Sequence, residues 1–238
     1  MSAARYIAIV LLSVASVLHA AEAPDSALAA KAARAFDNSE WAGATALYML
    51  LSDSAPDAPL PYARMLLAQE MRSDSVGSRA TVERALAHSV PVDSLLEPVC
   101  AGAFALHSPE IYERLLLRLQ SELPWLHRVL DIRLLRYYTM RRDPANMIAY
   151  SRRMLAGNPA DTDALATLAE GALLIGDTAT AVSSWEKILD IAPASYSALA
   201  SLATTLAPTD PAKAAQYARR ALAIHPNTAL EALLRSLE

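Results

Sequence analysis

The feature that most constrains this sequence is a regular spacing of prolines. Six of its 14 prolines recur at intervals of 35, 33, 35, 34 and 33 residues along a chain of 238. They are Pro56, Pro91, Pro124, Pro159, Pro193 and Pro226. A fixed period of this size is typical of stacked supersecondary units, each of which needs its neighbours to bury its apolar face.

The apolar pattern within a unit predicts two helices. In residues 162–195 a first stripe follows the i, i+3, i+4, i+7 spacing of one helix face, and a second stripe follows after an interruption at Gly176. The first stripe is Leu165, Leu168, Ala169 and Ala172, and the second is Ala181, Trp185 and Ile188. The unit is therefore predicted to fold as helix, turn, helix and turn.

Three proline dipeptides mark where second helices are expected to begin. They are Ser108-Pro109, Asp143-Pro144 and Asp210-Pro211. In each pair the first side chain can cap a helix N-terminus, and proline suits the first helical position because its missing N–H is not needed there.

These residues resemble the tetratricopeptide repeat (TPR) pattern of alternating large and small residues with a closing proline. The first, fifth and sixth units match it best, whereas Tyr112 and Arg133 depart from it in the middle of the chain. The best-matching fifth unit contributes Leu165, Ala169, Ala172, Gly176, Ala181, Trp185, Ile188 and Pro193. The resemblance implies an all-α, right-handed superhelical solenoid over residues 24–238, with about six repeats and a C-terminal capping helix that covers the last repeat.

The N-terminal residues 1–23 have the pattern of a secretory signal peptide. Arg5 precedes an apolar stretch over 6–18, and small residues follow it. The stretch is too short for a comfortable membrane anchor, and no second long apolar segment follows, so no integral membrane segment is expected after cleavage. We expect an exported protein, periplasmic or secreted, with a bacterial periplasm favoured because the single cysteine, Cys100, excludes an intramolecular disulfide.

Charge constrains the choice of partner only weakly. The net charge of −4 gives no indication of nucleic-acid binding, and no nucleic-acid partner is expected. Residues 110–160 nevertheless contain nine arginines against five acids. This excess is either a set of ordinary solvated helix faces or a surface for an anionic partner, and both interpretations stay open at the level of sequence.

No arrangement of residues in the sequence indicates catalysis. The histidines form no metal-ligand spacing, and the pair His127 and Asp131 is better explained as a surface hydrogen bond than as a catalytic dyad. No nucleophile elbow, phosphate-binding loop or dinucleotide fingerprint occurs. We therefore expect no enzyme activity, no metal and no cofactor.

The TPR resemblance also implies where a partner would bind. In that family the first helices of successive repeats line a concave groove, and the corresponding positions in this sequence are Glu97, Phe104, Arg128, Asp131, Tyr138, Asp163 and Glu170. Phe36, Phe104 and Tyr138 are expected to be exposed aromatic anchors of that groove.

Three functions remain in view. The favoured one is an exported scaffold or adaptor that binds a peptide or helix of a protein partner in the groove. The alternative is a structural subunit of a cell-envelope assembly, and the third is a small-ligand binder or enzyme. The sequence does not identify the partner or the oligomeric state.

Overall fold

The computed structural model describes residues 24–237, with side chains from Ser26 onward, and these residues form thirteen α-helices, one 3-10 helix and no strand. The α-helices are α1 (Pro24–Asp37), α2 (Trp41–Ser54), α3 (Pro59–Met71), α4 (Ser75–Ala87), α5 (Val92–Ala105), α6 (Glu110–Glu122), α7 (His127–Arg141), α8 (Pro144–Gly157), α9 (Thr162–Leu174), α10 (Thr178–Ile191), α11 (Tyr196–Leu206), α12 (Pro211–Ile224) and α13 (Thr228–Leu237). The 3-10 helix Pro124–Leu126 precedes α7. The expected all-α class is confirmed.

The predicted signal peptide, residues 1–23, lies outside the described residues. Among the residues that are described, no helix is both long enough and apolar enough to cross a membrane. The division of the chain into a leader and one array over 24–238 stays a prediction. The described chain forms two compact units, which meet between Leu115 and Leu116 within α6.

Aspartate caps begin four of the second helices. The carboxylates of Asp74, Asp143, Asp177 and Asp210 each accept a hydrogen bond from the backbone N–H three residues later, at 2.9–3.2 Å. The caps expected at Asp143 and Asp210 are therefore confirmed. At the third predicted start, α6 begins at Glu110, one residue later than Pro109 would place it.

A left-handed backbone conformation ends the first helix of five successive repeats. The residues are Ser39 (φ 61°), Ser73 (φ 58°), His107 (φ 55°), Arg142 (φ 51°) and Gly176 (φ 79°), spaced 34, 34, 35 and 34 apart. Only one of these positions is glycine, the residue that adopts positive φ without steric cost. The repeat is thus visible in the backbone even where the sequence pattern is weak.

Alanine and leucine fill the core of each unit. In the second unit, Trp185 packs with small and branched residues of α9 to α13, and Leu230 of the last helix joins the same cluster. In the first unit, Tyr62, Leu66 and Leu95 are fully buried. Tyr48 and Trp185 are both buried and therefore act as packing residues.

Candidate partner-binding clefts

The first unit contains a cleft lined by its first helices. The cleft, with a volume of about 470 Å³, lies between α1, α3 and α5. Its lining residues are Phe36, Asp37, Leu60, Ala63, Arg64, Leu67, Pro98, Ala101, Gly102, Ala105 and Leu106. We call it the first-unit cleft; its lining is mainly apolar and carries one acid and one base.

Close packing fixes the walls of the first-unit cleft. A Cβ atom on Gly102 would lie 2.3 Å from Cδ1 of Leu67, so glycine is what allows α5 to approach α3. The Arg64 guanidinium lies 4.6 Å from the centroid of the Phe36 ring. The expectation that Phe36 is exposed is wrong, because the ring is 3 % exposed and packs edge-on against Trp41 at 5.2 Å.

The second unit contains a larger cleft between α7 and α9. Its volume is about 620 Å³, and Met154 of α8 contributes to its lining. The α7 wall consists of Ile132, Leu135, Arg136, Thr139 and Met140, and the α9 wall of Asp161, Asp163, Ala166, Thr167 and Glu170. We call it the second-unit cleft; an acidic wall there faces a largely apolar wall that carries one arginine.

Three charged groups of the second-unit cleft are available to a partner. Asp161 caps α9 by accepting a hydrogen bond from the Ala164 N–H at 3.0 Å. Within residues 26–237, by contrast, Arg136, Asp163 and Glu170 are exposed and form no ion pair or side-chain hydrogen bond. Their charges are therefore uncompensated by neighbours in the described part of the chain.

A second pocket of about 330 Å³ continues the second-unit cleft towards the ends of α7 and α9. It is lined by Thr139, Arg142, Met147, Glu170, Leu173 and Leu174. Thr139 and Glu170 line both spaces. Met140 is 55 % exposed and Leu173 is 43 % exposed, so the rim is apolar and open to solvent.

The structure brings together only part of the predicted groove. Asp163 and Glu170 line the second-unit cleft. Glu97, Phe104 and Arg128 are exposed, with Phe104 at 37 %, but they line neither of the two clefts. Whether these residues bind a partner stays a prediction.

Two positions predicted on α7 face the wrong way for groove residues. Tyr138 is 3 % exposed and packs against Tyr137 and Tyr150, at ring-centroid distances of 5.4 and 5.2 Å, so its expected exposure is wrong. Asp131 accepts hydrogen bonds from Gln120 and Arg153. Asp131 therefore contacts α6 and α8, and Tyr138 packs against α8.

Sequence reasoning missed the residues of α7 that do line the second-unit cleft. Ile132, Arg136 and Met140 are spaced four apart, which places them along one stripe of the helix. That spacing can be recognised in the sequence, but other stripes of the same helix have a similar mixture of polar and apolar residues and would be equally good candidates for the lining. Arg142 was missed because it follows the last helical residue.

The described residues contain no group of three or more His, Cys, Asp or Glu side chains that could hold a metal ion. The polar groups of the second-unit cleft are carboxylates and guanidinium groups, which can form ion pairs and hydrogen bonds with peptide groups and side chains.

Comparison with known proteins supports the fold. No protein-family model matches the chain, and no curated protein matches its sequence. The C-terminal part of a TPR repeat-containing protein from Cytophaga hutchinsonii is similar in structure, with a TM-score of 0.50 and 14 % identity over 81 % of this chain and 77 % of that one. YrrB, a TPR protein with an unusual peptide-binding site, has a TM-score of 0.49 and 15 % identity over 79 % of this chain and 96 % of that one. The first likeness shows that this chain has the all-α fold of TPR repeats.

Proposed function

We propose that this chain is an exported, non-catalytic scaffold or adaptor that binds a segment of a protein partner in its second-unit cleft. The observation that carries the proposal is the pairing of exposed apolar side chains with uncompensated charges. Met140 and Leu173 offer apolar contact area, while Arg136, Asp163 and Glu170 offer ionic and hydrogen-bonding groups. Interfaces combine an apolar centre with polar groups at the rim in this way.

The shape of the second-unit cleft favours a chain segment over a small molecule. Its volume of about 620 Å³ falls within the range of small-molecule sites. Such sites, however, bury most of the ligand surface, whereas Met140 at the rim of this cleft is 55 % exposed. An open cleft along two helices suits a peptide or helix, which covers the rim with its own flanking residues.

Export to the periplasm or beyond forms part of this proposal. It rests on the sequence of residues 1–23, in which a basic residue, a short apolar stretch and small residues follow in order. Fractionation of cells that produce the full chain tests it. A shortened chain in the exported fraction is expected, and a full-length chain in the cytoplasm would contradict it.

One observation favours the alternative of a structural subunit in an envelope assembly. Trp125 in the 3-10 helix is 70 % exposed and lines neither cleft. Tryptophan contributes disproportionately to interfaces when a partner covers it. A surface centred on Trp125 would hold this chain in an assembly without using either cleft.

Site-specific photo-crosslinking in the native cell fraction distinguishes the two functions. A photoreactive amino acid replaces Met140 in the second-unit cleft, Leu173 in the pocket beside it, Trp125 on the 3-10 helix, or Ala149 at an exposed control position on α8. Crosslinks from Met140 and Leu173 to one dominant protein would support the proposal. Crosslinks only from Trp125 would support the structural subunit, and a pattern equal to that of Ala149 would contradict both.

A further inference from the structure

The second-unit cleft and the pocket beside it follow one another along α7 and α9. Thr139 and Glu170 line both spaces, so the two spaces are adjacent. On both helices the earlier residues line the cleft and the later residues line the pocket, so α7 and α9 run in the same direction along them. We call the combined space the α7–α9 channel. From Asp163 to Leu174 it extends over eleven residue steps of α9, or about 16 Å at the helical rise of about 1.5 Å.

Charges are ordered along the α7–α9 channel. Asp163, the second residue of α9, lies at the starting end, and Arg142, the residue after α7, lies at the far end. Arg136 and Glu170 lie about halfway, one on each wall, and form no ion pair with each other. The apolar side chains Met140, Leu173 and Leu174 fall between the middle and the far end.

The backbone of Arg142 is fixed at the far end of the channel. Its left-handed backbone and its N–H, which donates to the Thr139 carbonyl at 3.0 Å, fix the turn from which the side chain projects. Within residues 26–237 the guanidinium group has no acidic partner. Arginine binds carboxylates with two parallel hydrogen bonds, which makes it the natural partner for an acidic side chain.

We propose that the α7–α9 channel selects a segment with a basic residue at one end, apolar residues in the centre and an acidic residue at the other end. This proposal rests on the proposed function and adds the chemistry of the partner. The basic residue pairs with Asp163, the apolar residues cover Met140 and Leu173, and the acidic residue pairs with Arg142. Because the walls carry opposite charges at opposite ends, a segment with one sign of charge throughout would meet repulsion at one end.

The charges at the middle of the channel add a second requirement. Arg136 donates hydrogen bonds and Glu170 accepts them, from opposite walls. A peptide group offers one acceptor and one donor, so the backbone of the bound segment can satisfy both walls without a further charged side chain. The centre of the segment is therefore apolar in its side chains.

Selection from a displayed library of random twelve-residue peptides, with the full chain as bait, tests the charge order. Enriched peptides are expected to carry opposite charges on the two sides of an apolar centre. With Arg142→Glu as bait, the acidic end of the enriched peptides should become basic, and with Asp163→Lys the basic end should become acidic. Arg128→Glu is the matched control, because Arg128 is exposed on α7 but does not line the channel.

The affinity of one enriched peptide for the wild-type protein and for each variant provides a quantitative test. Arg142→Glu is expected to weaken its binding about tenfold or more, as loss of an ion pair and its replacement by a repulsive contact would do. Changing the peptide's acidic residue to lysine should restore the affinity, whereas Arg128→Glu should leave it unchanged. Circular dichroism of each variant checks that the helices are retained, so that a folding defect is not taken for lost binding.

The possible failures are distinguishable. Enriched peptides that lack the charge order, or that are the same for wild type and Arg142→Glu, would overturn the charge rule while leaving segment binding intact. Enriched peptides that bind Met140→Asp as well as wild type would show that binding occurs elsewhere. An absence of enrichment over an empty support would overturn both this proposal and the proposed function.

Discussion

Glycine at the repeated left-handed turns should stabilise the protein. Ser73 has φ 58°, a conformation that costs an L-residue roughly 1–2 kcal/mol. Glycine avoids that cost but loses about 0.5–1 kcal/mol more backbone entropy on folding. The difference predicts that Ser73→Gly raises the free energy of unfolding by up to about 1.5 kcal/mol. Its side chain is exposed and forms no hydrogen bond within the described residues, so no contact is lost.

Substitutions at two matched positions are expected to lower the free energy of unfolding. Gly176 has φ 79° with open space around its Cβ position, so Gly176→Ala should lose stability purely through backbone strain. Ala80 is exposed within α4, where glycine is expected to cost about 1 kcal/mol because the helical backbone is ordinary there. Ala80→Gly therefore introduces the same residue as Ser73→Gly with the opposite expected effect.

Urea denaturation followed by circular dichroism measures these differences. Ser73→Gly should move the midpoint to higher urea without changing the slope, and Gly176→Ala and Ala80→Gly should move it lower. The reasoning would be refuted if Ser73→Gly lost as much stability as Ala80→Gly. That result would mean that the left-handed turn carries no cost for serine at this position.

Three further predictions follow from packing and capping. Gly102→Ala should lower the free energy of unfolding by about 1–3 kcal/mol, because the new Cβ would meet the buried Leu67 side chain. Gly43→Ala, where the Cβ position is open, should raise it by up to about 1 kcal/mol. Equal effects of the two substitutions in urea denaturation would contradict this prediction. Tyr138→Ala should cost about 3–5 kcal/mol by emptying a buried site, and a thermal midpoint equal to that of wild type would show the ring to be exposed after all. The pKa of Asp177 is lowered from 3.8 by hydrogen bonds from the side chain and the backbone N–H of Thr180 in the first turn of α10. The stabilisation by this carboxylate is therefore present above pH 3.8 and is lost as the pH falls through the lowered pKa. Asp177→Ala should flatten the acid limb of the stability curve, and an acid limb as steep as that of wild type would argue against the cap.

Local sequence signals were sufficient for the helical class and for the caps at Asp143 and Asp210. The carboxylates of Asp143 and Asp210 cap helices through N–H groups only three residues away, so the interaction is encoded within one turn of chain. Trp185 is buried, because the apolar stripe of its helix identifies the inward face. The capping residues and the apolar stripes are local signals, so they do not depend on how the helices pack against one another.

The walls of the clefts were only half predictable. On α9, Asp163 and Glu170 line the second-unit cleft, whereas on α7 the lining residues include Arg136 and Met140 but neither Arg128 nor Tyr138. One residue of shift rotates a side chain by about 100° around a helix axis, so a small error in register moves a residue from one face to another. The register of α7 depends on contacts with α6 and α8, among them the hydrogen bonds to Asp131, which no local pattern reveals.

The repeat period, the helical class and the aspartate caps follow from the amino-acid sequence, since each depends on residues within about one repeat of each other. Which charged groups stay uncompensated follows from tertiary packing. Asp163 lines the second-unit cleft without an ion pair or side-chain hydrogen bond among the described residues. Asp131, in contrast, accepts hydrogen bonds from Gln120 and Arg153, because packing brings separate helices together. A charged side chain is available to a partner only when no nearby residue forms an ion pair or hydrogen bond with it. Which residues are nearby depends on how the helices pack.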